Sequence, residues 1–293
     1  MLRQLRRIAI VACSLLPLLA GSSSRAEDKP APREAGLTLV VMDPLAAPLA
    51  CPCVKGYAQR DYAKLAQLLE KHTGEKVSLF FGETLPAVYA GKAKGKADIV
   101  IGKYSVAKHG GEKLKLPLRH VAALTGKDGL TTQTGLFLVP AKDPALVVSD
   151  LTAYRIIFGP ADCDEKHRVA LDLLREHGII PKGDLETSEA CSESATEVLQ
   201  IFGEGGKGAT VISSYAKPLL EGCGTINKGD LRVIGETTAV PFVAAFVNQN
   251  LPEKLQKQIE DALFQVGGDK ALCQALETKE GFTRPKPDVK KKN

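Results

Sequence analysis

"LVVMDPLAAPLACPCVKGYAQRDYAKLAQLLEKHTG" at residues 39–74 and "RIIFGPADCDEKHRVALDLLREHG" at residues 155–178 follow the same plan. Each stretch has an apolar run typical of a buried strand, then a loop with proline and cysteine, then a helical pattern closed by a glycine. A shorter echo follows, because residues 90–108 and 203–217 both place a Gly/Lys-rich turn before an apolar strand, a serine and a tyrosine. The repetition predicts two similar α/β lobes.

Strand and helix patterns alternate along the rest of the chain, which is typical of parallel sheets covered by helices. The predicted strands lie near residues 37–42, 76–81, 98–102, 119–124, 134–139, 154–159, 208–213, 231–236 and 241–247. The predicted helices lie near residues 57–72, 84–91, 164–177, 194–202, 214–221 and 251–266. The fold class is therefore predicted to be α/β.

The first 26 residues have the pattern of a secretory signal. A basic "MLRQLRR" precedes an apolar run at residues 8–20, and Ser24-Arg25-Ala26 matches a small-x-small cleavage site. The apolar run is too short for a membrane span. We therefore expect an exported, periplasmic protein that is cleaved near Ala26, with a polar leader at residues 27–36 and a basic tail at residues 283–293.

The charge balance excludes one large class of partners. Four of the 39 basic residues and none of the 34 acidic residues lie in the predicted signal, so the mature chain carries a net charge of about +1. Nucleic-acid binding needs concentrated positive charge and is not expected. The sequence also lacks the G-x-S-x-G and H-E-x-x-H motifs of common hydrolases and zinc proteases, so we expect no enzyme.

Four segments follow one another in a characteristic order: "YAKLAQLLEKHTGEKVSLFFGETLPAVYAGKAKGKADIVIGKYS" (62–105), "TTQTGLFLVPAKDPALVVSDLTAYRIIFGPAD" (131–162), "ATEVLQIFGEGGKGATVISSYAKPLL" (195–220) and "LRVIGETTAVPFVAAFVNQNLPEKLQKQIEDALF" (231–264). This order resembles the periplasmic solute-binding proteins of phosphate, phosphite and phosphonate ABC importers, of the type II, transferrin-like class. The resemblance covers nearly all of residues 37–282.

The resemblance implies two Rossmann-like lobes joined by two hinge strands. Lobe 1 would comprise residues 37–130 plus 245–282, lobe 2 residues 131–244, and the hinge strands would cross near Gly135 and Ala244. A small ligand, phosphonate- or phosphate-like, would lie between the lobes, where helix N-termini and the carboxyl ends of strands converge. The implied protein is a monomer that needs no cofactor and passes its ligand to an ABC permease.

Several polar side chains would then face the cleft, because they follow strands or begin helices in this architecture. The candidate ligand-binding residues are Asp43, Lys55, Tyr57, Tyr104, Ser105, Thr132, Gln133, Cys163, Ser192, Ser214 and Tyr215. Structural alternatives remain open: Asp43 suits an Asx-Pro turn, and Tyr104 and Tyr215 suit half-buried packing positions.

One loop departs from the resemblance. Oxyanion-binding members of the family usually have a Ser/Thr-rich helix start after the strand equivalent to "RIIFG", but here the sequence is "PADCDEKH". Asp162, Asp164 and Glu165 would repel a dianion unless a cation intervenes. The loop therefore departs from the oxyanion-binding pattern that the resemblance implies.

Six cysteines remain beyond the predicted signal, and an even number in an exported protein favours disulfides. The candidate disulfide pairs are Cys163–Cys191 and Cys223–Cys273, and the sequence leaves their connectivity open. Only a proline separates Cys51 from Cys53, so a bond between these two would be strained. A cysteine at a helix start, as predicted for Cys163, would have a stabilised thiolate.

A soft metal ion is the alternative use of these thiols. Cys51 and Cys53 would face the cleft from the first lobe, and Cys163 or His167 would complete the shell from the second. Because thiolates favour Cu or Zn ions, this interpretation predicts an accessory protein that binds such an ion or exchanges thiols with a partner.

Overall fold

The computed structural model describes residues 36–50, 59–181 and 183–285. The predicted signal and residues 286–293 of the predicted basic tail lie outside these residues. The strands are β1 (Leu37–Met42), β2 (Val77–Phe81), β3 (Ile99–Lys103), β4 (Leu118–Leu124), β5 (Thr132–Gln133), β6 (Gly135–Pro140), β7 (Arg155–Phe158), β8 (Glu186–Thr187), β9 (Gly208–Ser213), β10 (Leu231–Glu236), β11 (Val240–Pro241), β12 (Val243–Asn248) and β13 (Phe282–Thr283).

The helices lie mainly where the apolar periodicity predicts them. They are α1 (Tyr62–Thr73), α2 (Leu85–Ala90), α3 (Tyr104–Lys113), α4 (Arg168–Glu176), α5 (Cys191–Gly203), α6 (Ala216–Gly222), α7 (Glu253–Gln265) and α8 (Lys270–Ala275), with short 3-10 helices at Val148–Ala153 and Val266–Gly268. The first begins after Asp61, whose carboxylate accepts from the backbone N–H of Ala63, and ends at Gly74 in the left-handed region. None of the described helices is long and apolar enough to cross a membrane.

The first sheet has the order β13-β4-β12-β3-β1-β2. Strands β2, β1 and β3 are parallel, whereas β12 runs antiparallel between β3 and β4. Its central strands are buried on both faces, which explains the unbroken apolar run "LTLVVM" of β1. Helices α1 and α7 cover one face around Leu65, Leu69 and Ile259, while α2 and α3 cover the other.

The second sheet has the order β10-β6-β9-β7-β8 and the same construction. Strands β9, β7 and β8 are parallel, and β6 and β10 are antiparallel additions. The prediction of parallel sheets is therefore wrong for the strands at one side of each sheet, which pair antiparallel. A strand that enters or leaves a lobe through the hinge needs no helical crossover, so it can pair antiparallel.

A two-stranded ladder connects the two sheets. The chain leaves the first sheet after β4, passes through β5 into β6, and returns through β11 into β12. Strands β5 and β11 pair with each other, with Gln133 opposite Val240. The predicted α/β fold of two Rossmann-like lobes is thus confirmed. Below, lobe 1 is the part built on the first sheet and lobe 2 the part built on the second.

Helix α3 was not predicted, because its sequence "YSVAKHGGEK" carries two adjacent glycines. Both glycines are buried and allow close packing. A Cβ at Gly110 would lie 2.8 Å from Leu85 Cβ, and one at Gly111 would lie 2.8 Å from Leu118 Cδ1. The penalty for glycine is offset by the tight packing of α3 on α2 and the sheet. This places Tyr104 and Ser105 at a helix start that points toward lobe 2.

Candidate functional site

A cavity of about 490 Å³ lies between the two lobes. Lobe 1 contributes residues after β1 and at the junction of β3 and α3, which include Met42, Pro44, Leu45, Leu49, Lys103 and Val106. Lobe 2 contributes the loop after β7 and the starts of α5 and α6, which include Cys163, Lys166, Cys191, Ser192, Tyr215 and Leu219. The volume is within the usual range for small-molecule sites, and the cavity lies at the carboxyl ends of the parallel strands.

A buried ion pair joins the lobes beside the cavity. Lys103 is the last residue of β3 in lobe 1, and its Nζ donates to Oε1 of Glu165 in lobe 2 at 2.5 Å and to Sγ of Cys163 at 3.4 Å. Ser213, at the end of β9, donates its hydroxyl to the same Oε1 at 2.6 Å. The side chains of Lys103 and Glu165 are 8% and 0% exposed, so water screens their attraction little. The lobes are in contact, and the cleft is closed.

Burial and pairing act in opposite directions on this pair. Burial alone would lower the pKa of Lys103, but the charge of Glu165 raises it well above its ordinary value. Burial likewise raises the pKa of Glu165, yet Lys103 and Ser213 together hold it below its ordinary value. Both partners therefore stay charged across the physiological pH range.

A second buried ion pair lies wholly within lobe 1. Arg60 donates to Asp43 Oδ2 at 2.8 Å, and Tyr62 donates its hydroxyl to the same oxygen at 2.6 Å. The Arg60 Nε also donates to the backbone carbonyl of Leu276 at 3.0 Å. This network ties the loop after β1 to α1 and to the C-terminal end of α8.

An aromatic stack links this network to the cavity. The Arg60 guanidinium lies 5.7 Å from the ring centre of Phe242, which follows β11, and Phe242 stacks on Tyr215 with centroids 5.0 Å apart. Tyr215 lines the cavity from lobe 2. The hinge is therefore packed against a cavity residue, so movement of one affects the other.

Four of the candidate ligand-binding residues lie at the cavity or at the contact between the lobes. Cys163, Ser192 and Tyr215 line the cavity. Ser105 accepts a hydrogen bond across the cleft from the backbone N–H of Asp164 at 3.3 Å. The first three can contact a ligand in the cavity, and Ser105 contacts the opposite lobe.

The other described candidates are engaged elsewhere. Asp43 is fully buried in the lobe 1 network, and Tyr104 packs with His120 and Phe246. Ser214 accepts from the backbone N–H of Thr134 at 3.2 Å. The remaining candidates in the described chain, Thr132 and Gln133, form hinge strand β5. Lys55 and Tyr57 lie outside the described residues.

The predicted disulfides are wrong. Cys163, Cys191, Cys223 and Cys273, the cysteines within the described ranges, are all free thiols. Cys163 accepts from Lys103, and Cys273 donates to the carbonyl of Val266 at 3.3 Å. Cys223 instead contacts the hydroxyl of Thr225 at 3.1 Å. Each of these three thiols therefore contacts a polar group and not another cysteine. Cys51 and Cys53 lie outside the described residues.

Cys163 also differs from its predicted electrostatic environment. Helix α4 begins at Arg168, not at residue 164, so Cys163 lies in the preceding turn and not at a helix N-terminus. Burial raises the pKa of its thiol, and the nearby Lys103 and Lys166 offset this only in part. The expected stabilised thiolate is therefore wrong for this residue.

The described residues contain no cluster of three or more His, Cys, Asp or Glu side chains that could hold a metal ion. His167, the predicted alternative to Cys163 as a ligand, uses Nδ1 to contact the carbonyl of Gly159 at 2.8 Å and packs edge-on against Phe158. The predicted Cu or Zn site would therefore depend on Cys51 and Cys53.

The residues that hold the lobes together were not among the sequence predictions. Glu165 was expected only to repel an anion, and Lys103 and Ser213 were not considered. The signal was present, because Lys103 is a charged residue at the carboxyl end of an otherwise apolar buried strand, "IVIGK". Lys103 supplies a counter-charge to Glu165, one of the three acids that were expected to repel a dianion.

The family model for the periplasmic substrate-binding proteins of phosphonate ABC transporters matches residues 56–289. The chain belongs to this family. It is therefore a solute-binding protein of an importer, as the resemblance of its segments implies. Membership rests on the sequence and agrees with the two-lobe structure and the cavity between the lobes.

Solved structures with the same fold have low sequence identity. A binding-protein component of a phosphonate ABC transporter from Pseudomonas aeruginosa has a TM-score of 0.64 at 14% identity, covering 87% of this chain and 83% of that one. PhnD1 from Prochlorococcus marinus, in complex with methylphosphonate, has a TM-score of 0.63 at 12% identity, covering 86% and 93%. A Xanthomonas citri protein bound to ATP has a TM-score of 0.64 at 15% identity, covering 87% and 92%.

These similarities establish the fold and leave the ligand to the chain's own residues, since one of these structures holds methylphosphonate and another holds ATP. No curated protein matches the sequence.

Proposed function

We propose that this protein binds one small solute in the cavity between its lobes and delivers it to an ABC permease. The observation that carries the proposal is the cavity itself, which both lobes line and beside which Lys103 and Glu165 join them. A solute that contacts both walls stabilises the closed state over the open one by its differential affinity. Closure is then the form that the permease recognises.

The family supports a phosphonate- or phosphate-like acid group on the solute, and PhnD1 was solved with such a ligand. In this proposal the protein is exported and acts as a monomer in the periplasm. Its function involves no catalytic step and no resident cofactor, because binding and release alone accomplish delivery.

A tryptophan reporter tests the binding site directly, since the chain has no native tryptophan. Leu219→Trp places the indole at the cavity wall, and Ile180→Trp places it on the surface, where Ile180 is 76% exposed. We expect a phosphonate and sulfonate panel to shift the emission of the first variant alone and to raise the melting temperature of both. Equal responses from the two reporters, or no response at all, would contradict the cavity as the binding site.

The alternative function is binding of a soft metal ion. It is favoured by the free thiols of Cys163, Cys191 and Cys223, which line the cavity. It requires Cu or Zn ions to raise the melting temperature of the protein and Cys163→Ser to abolish that rise. Titration of the reduced protein with each ion decides between the two functions.

A further inference from the structure

Among the described residues, the cations near the cavity are balanced internally, with one exception. Lys103 is paired with Glu165, and Arg60 is paired with Asp43. Lys166 lines the cavity and is only 4% exposed. Within the described ranges its ammonium has no ion pair and no side-chain hydrogen bond. An ammonium that lines the cavity without a counterion attracts negative charge, so Lys166 favours a single anionic group in the cavity.

The position of Lys166 is built into the loop after β7. Its side chain lies against Gly159, where a Cβ would come within 2.5 Å of Lys166 Cε. The absence of a side chain at Gly159 makes room for the lysine stem, and the backbone N–H of Gly159 donates to the carbonyl of Lys166 at 3.2 Å. The ammonium is therefore held at the wall and is not a freely moving surface charge.

The other charges at the wall disfavour a second negative charge on the solute. Asp162 is half-buried, and Glu83 and Glu189 are exposed at the rim. Ser213 donates its single O–H to the Glu165 carboxylate, and the charge of Lys103 is already balanced by the same carboxylate. Because Lys166 is the one unbalanced cation among the described residues here and these acids repel further negative charge, the cavity favours a solute with a single negative charge.

Apolar groups form most of the remaining wall and come from both lobes. They are Met42, Leu45, Leu49, Val106, Leu219 and Leu220. Inorganic phosphate or methylphosphonate would leave most of the 490 Å³ cavity without contacts. An apolar body that fills the cavity gains the hydrophobic contribution of every buried methylene.

We propose that the solute is an organic monoanion, with one singly charged acid group at Lys166 and an apolar body between the lobes. This inference rests on the proposed function, since it names the class of solute that the cavity binds. It distinguishes the chain from a receptor for compact phosphonate dianions.

A matched ligand series measured by calorimetry at pH 8 tests the proposal. The probes are methanesulfonate, butanesulfonate, hexanesulfonate and octanesulfonate, with octylphosphonate, methylphosphonate, inorganic phosphate and uncharged 1-octanol for comparison. We expect affinity to rise about fourfold per methylene until the cavity is full. Octanesulfonate should bind more tightly than octylphosphonate, which is partly dianionic at this pH, and phosphate should bind most weakly.

Lys166→Met tests the charge while keeping a side chain of similar length. Octanesulfonate should bind about 10- to 100-fold more weakly to this variant, as expected for loss of a charged hydrogen bond. Its affinity for 1-octanol should stay unchanged, which shows that the cavity is intact. The control Lys254→Met removes an exposed lysine of α7 and should change neither affinity.

The outcomes separate the inference from the proposed function. Tighter binding of phosphate or methylphosphonate than of octanesulfonate would overturn the monoanion while leaving a binding protein. Unchanged octanesulfonate binding by Lys166→Met would do the same. If none of the probes binds to the wild-type protein, the cavity is not the solute site and both proposals are overturned.

Discussion

The two buried ion pairs have the same chemistry and different consequences. Arg60 and Asp43 both belong to lobe 1, and their network also includes Tyr62 and the carbonyl of Leu276. Lys103 and Glu165 belong to different lobes and meet across the cleft. Both pairs are almost inaccessible to water. Opening the lobes hydrates the second pair but leaves the first one buried.

This difference separates stability from closure. Breaking the first pair leaves a buried charge that only unfolding of lobe 1 can expose to water. Breaking the second pair leaves a charge that lobe opening can expose. A buried pair within a lobe therefore contributes to folding, whereas a buried pair between lobes sets the balance between the open and closed states.

The largest expected effect comes from Asp43→Ala, which leaves Arg60 buried without a counterion. We expect the free energy of unfolding to fall by about 3–5 kcal/mol, measured by urea denaturation. The control Glu112→Ala breaks an exposed pair with Lys108 and should cost less than about 1 kcal/mol. Equal losses from the two variants would refute the assigned role of the Asp43 network.

A smaller effect is expected from Gly135→Ala at the start of β6. A Cβ there would lie 2.0 Å from the backbone oxygen of Glu165, so the loop that carries the interlobe carboxylate must move. We expect a loss of about 1–3 kcal/mol together with a more open protein in small-angle scattering.

Gly203→Ala is the control, because nothing lies within 4 Å of a Cβ at Gly203. It should change stability by less than about 1 kcal/mol and leave the scattering unaltered. If Gly135→Ala also leaves the scattering unaltered, the position of Glu165 does not govern closure.

The smallest effect is a pH dependence that belongs to the interlobe pair. The pKa of Glu165 is lowered from 4.5, so its contribution is present above pH 4.5 and is lost as the pH falls through the lowered value. The pKa of Lys103 is raised from 10.5, so its contribution is present below pH 10.5 and is lost as the pH rises through the raised value.

Comparison with the double variant Lys103→Met/Glu165→Gln isolates this dependence. The difference in unfolding free energy between the wild type and the double variant should be constant between about pH 5 and pH 10. Below and above this range, the wild type should lose stability relative to the double variant. A difference that changes steadily through pH 6–8 would point to other titrating groups.

Local patterns in the sequence were sufficient to predict most of the fold. Apolar runs and helical periodicity placed β1, β9 and β10 at their observed bounds, and α7 within two residues. Helix α3 was missed because the close packing that favours Gly110 and Gly111 comes from α2 and β4, which a local pattern does not show. The hinge ladder is likewise a pairing between residues more than 100 positions apart.

The site was less predictable, because it depends on contacts between lobes. Lys103 and Glu165 are 62 residues apart, so their pairing is not visible in either local motif. The disulfide prediction followed from the expected compartment, whereas the geometry gives Cys163 and Cys273 hydrogen bonds to nearby groups. The cysteines did mark the cavity, since Cys163, Cys191 and Cys223 line it, but they do so as free thiols and not as disulfides.

The most direct test is small-angle scattering of the wild-type protein and of Glu165→Gln without added solute. If the interlobe pair holds the lobes closed, the variant should have the larger radius of gyration and an unchanged circular-dichroism spectrum, and the control Glu112→Gln should match the wild type. An unchanged radius of gyration for Glu165→Gln, with reduced stability alone, would contradict the account and make the pair a structural element like Arg60 and Asp43.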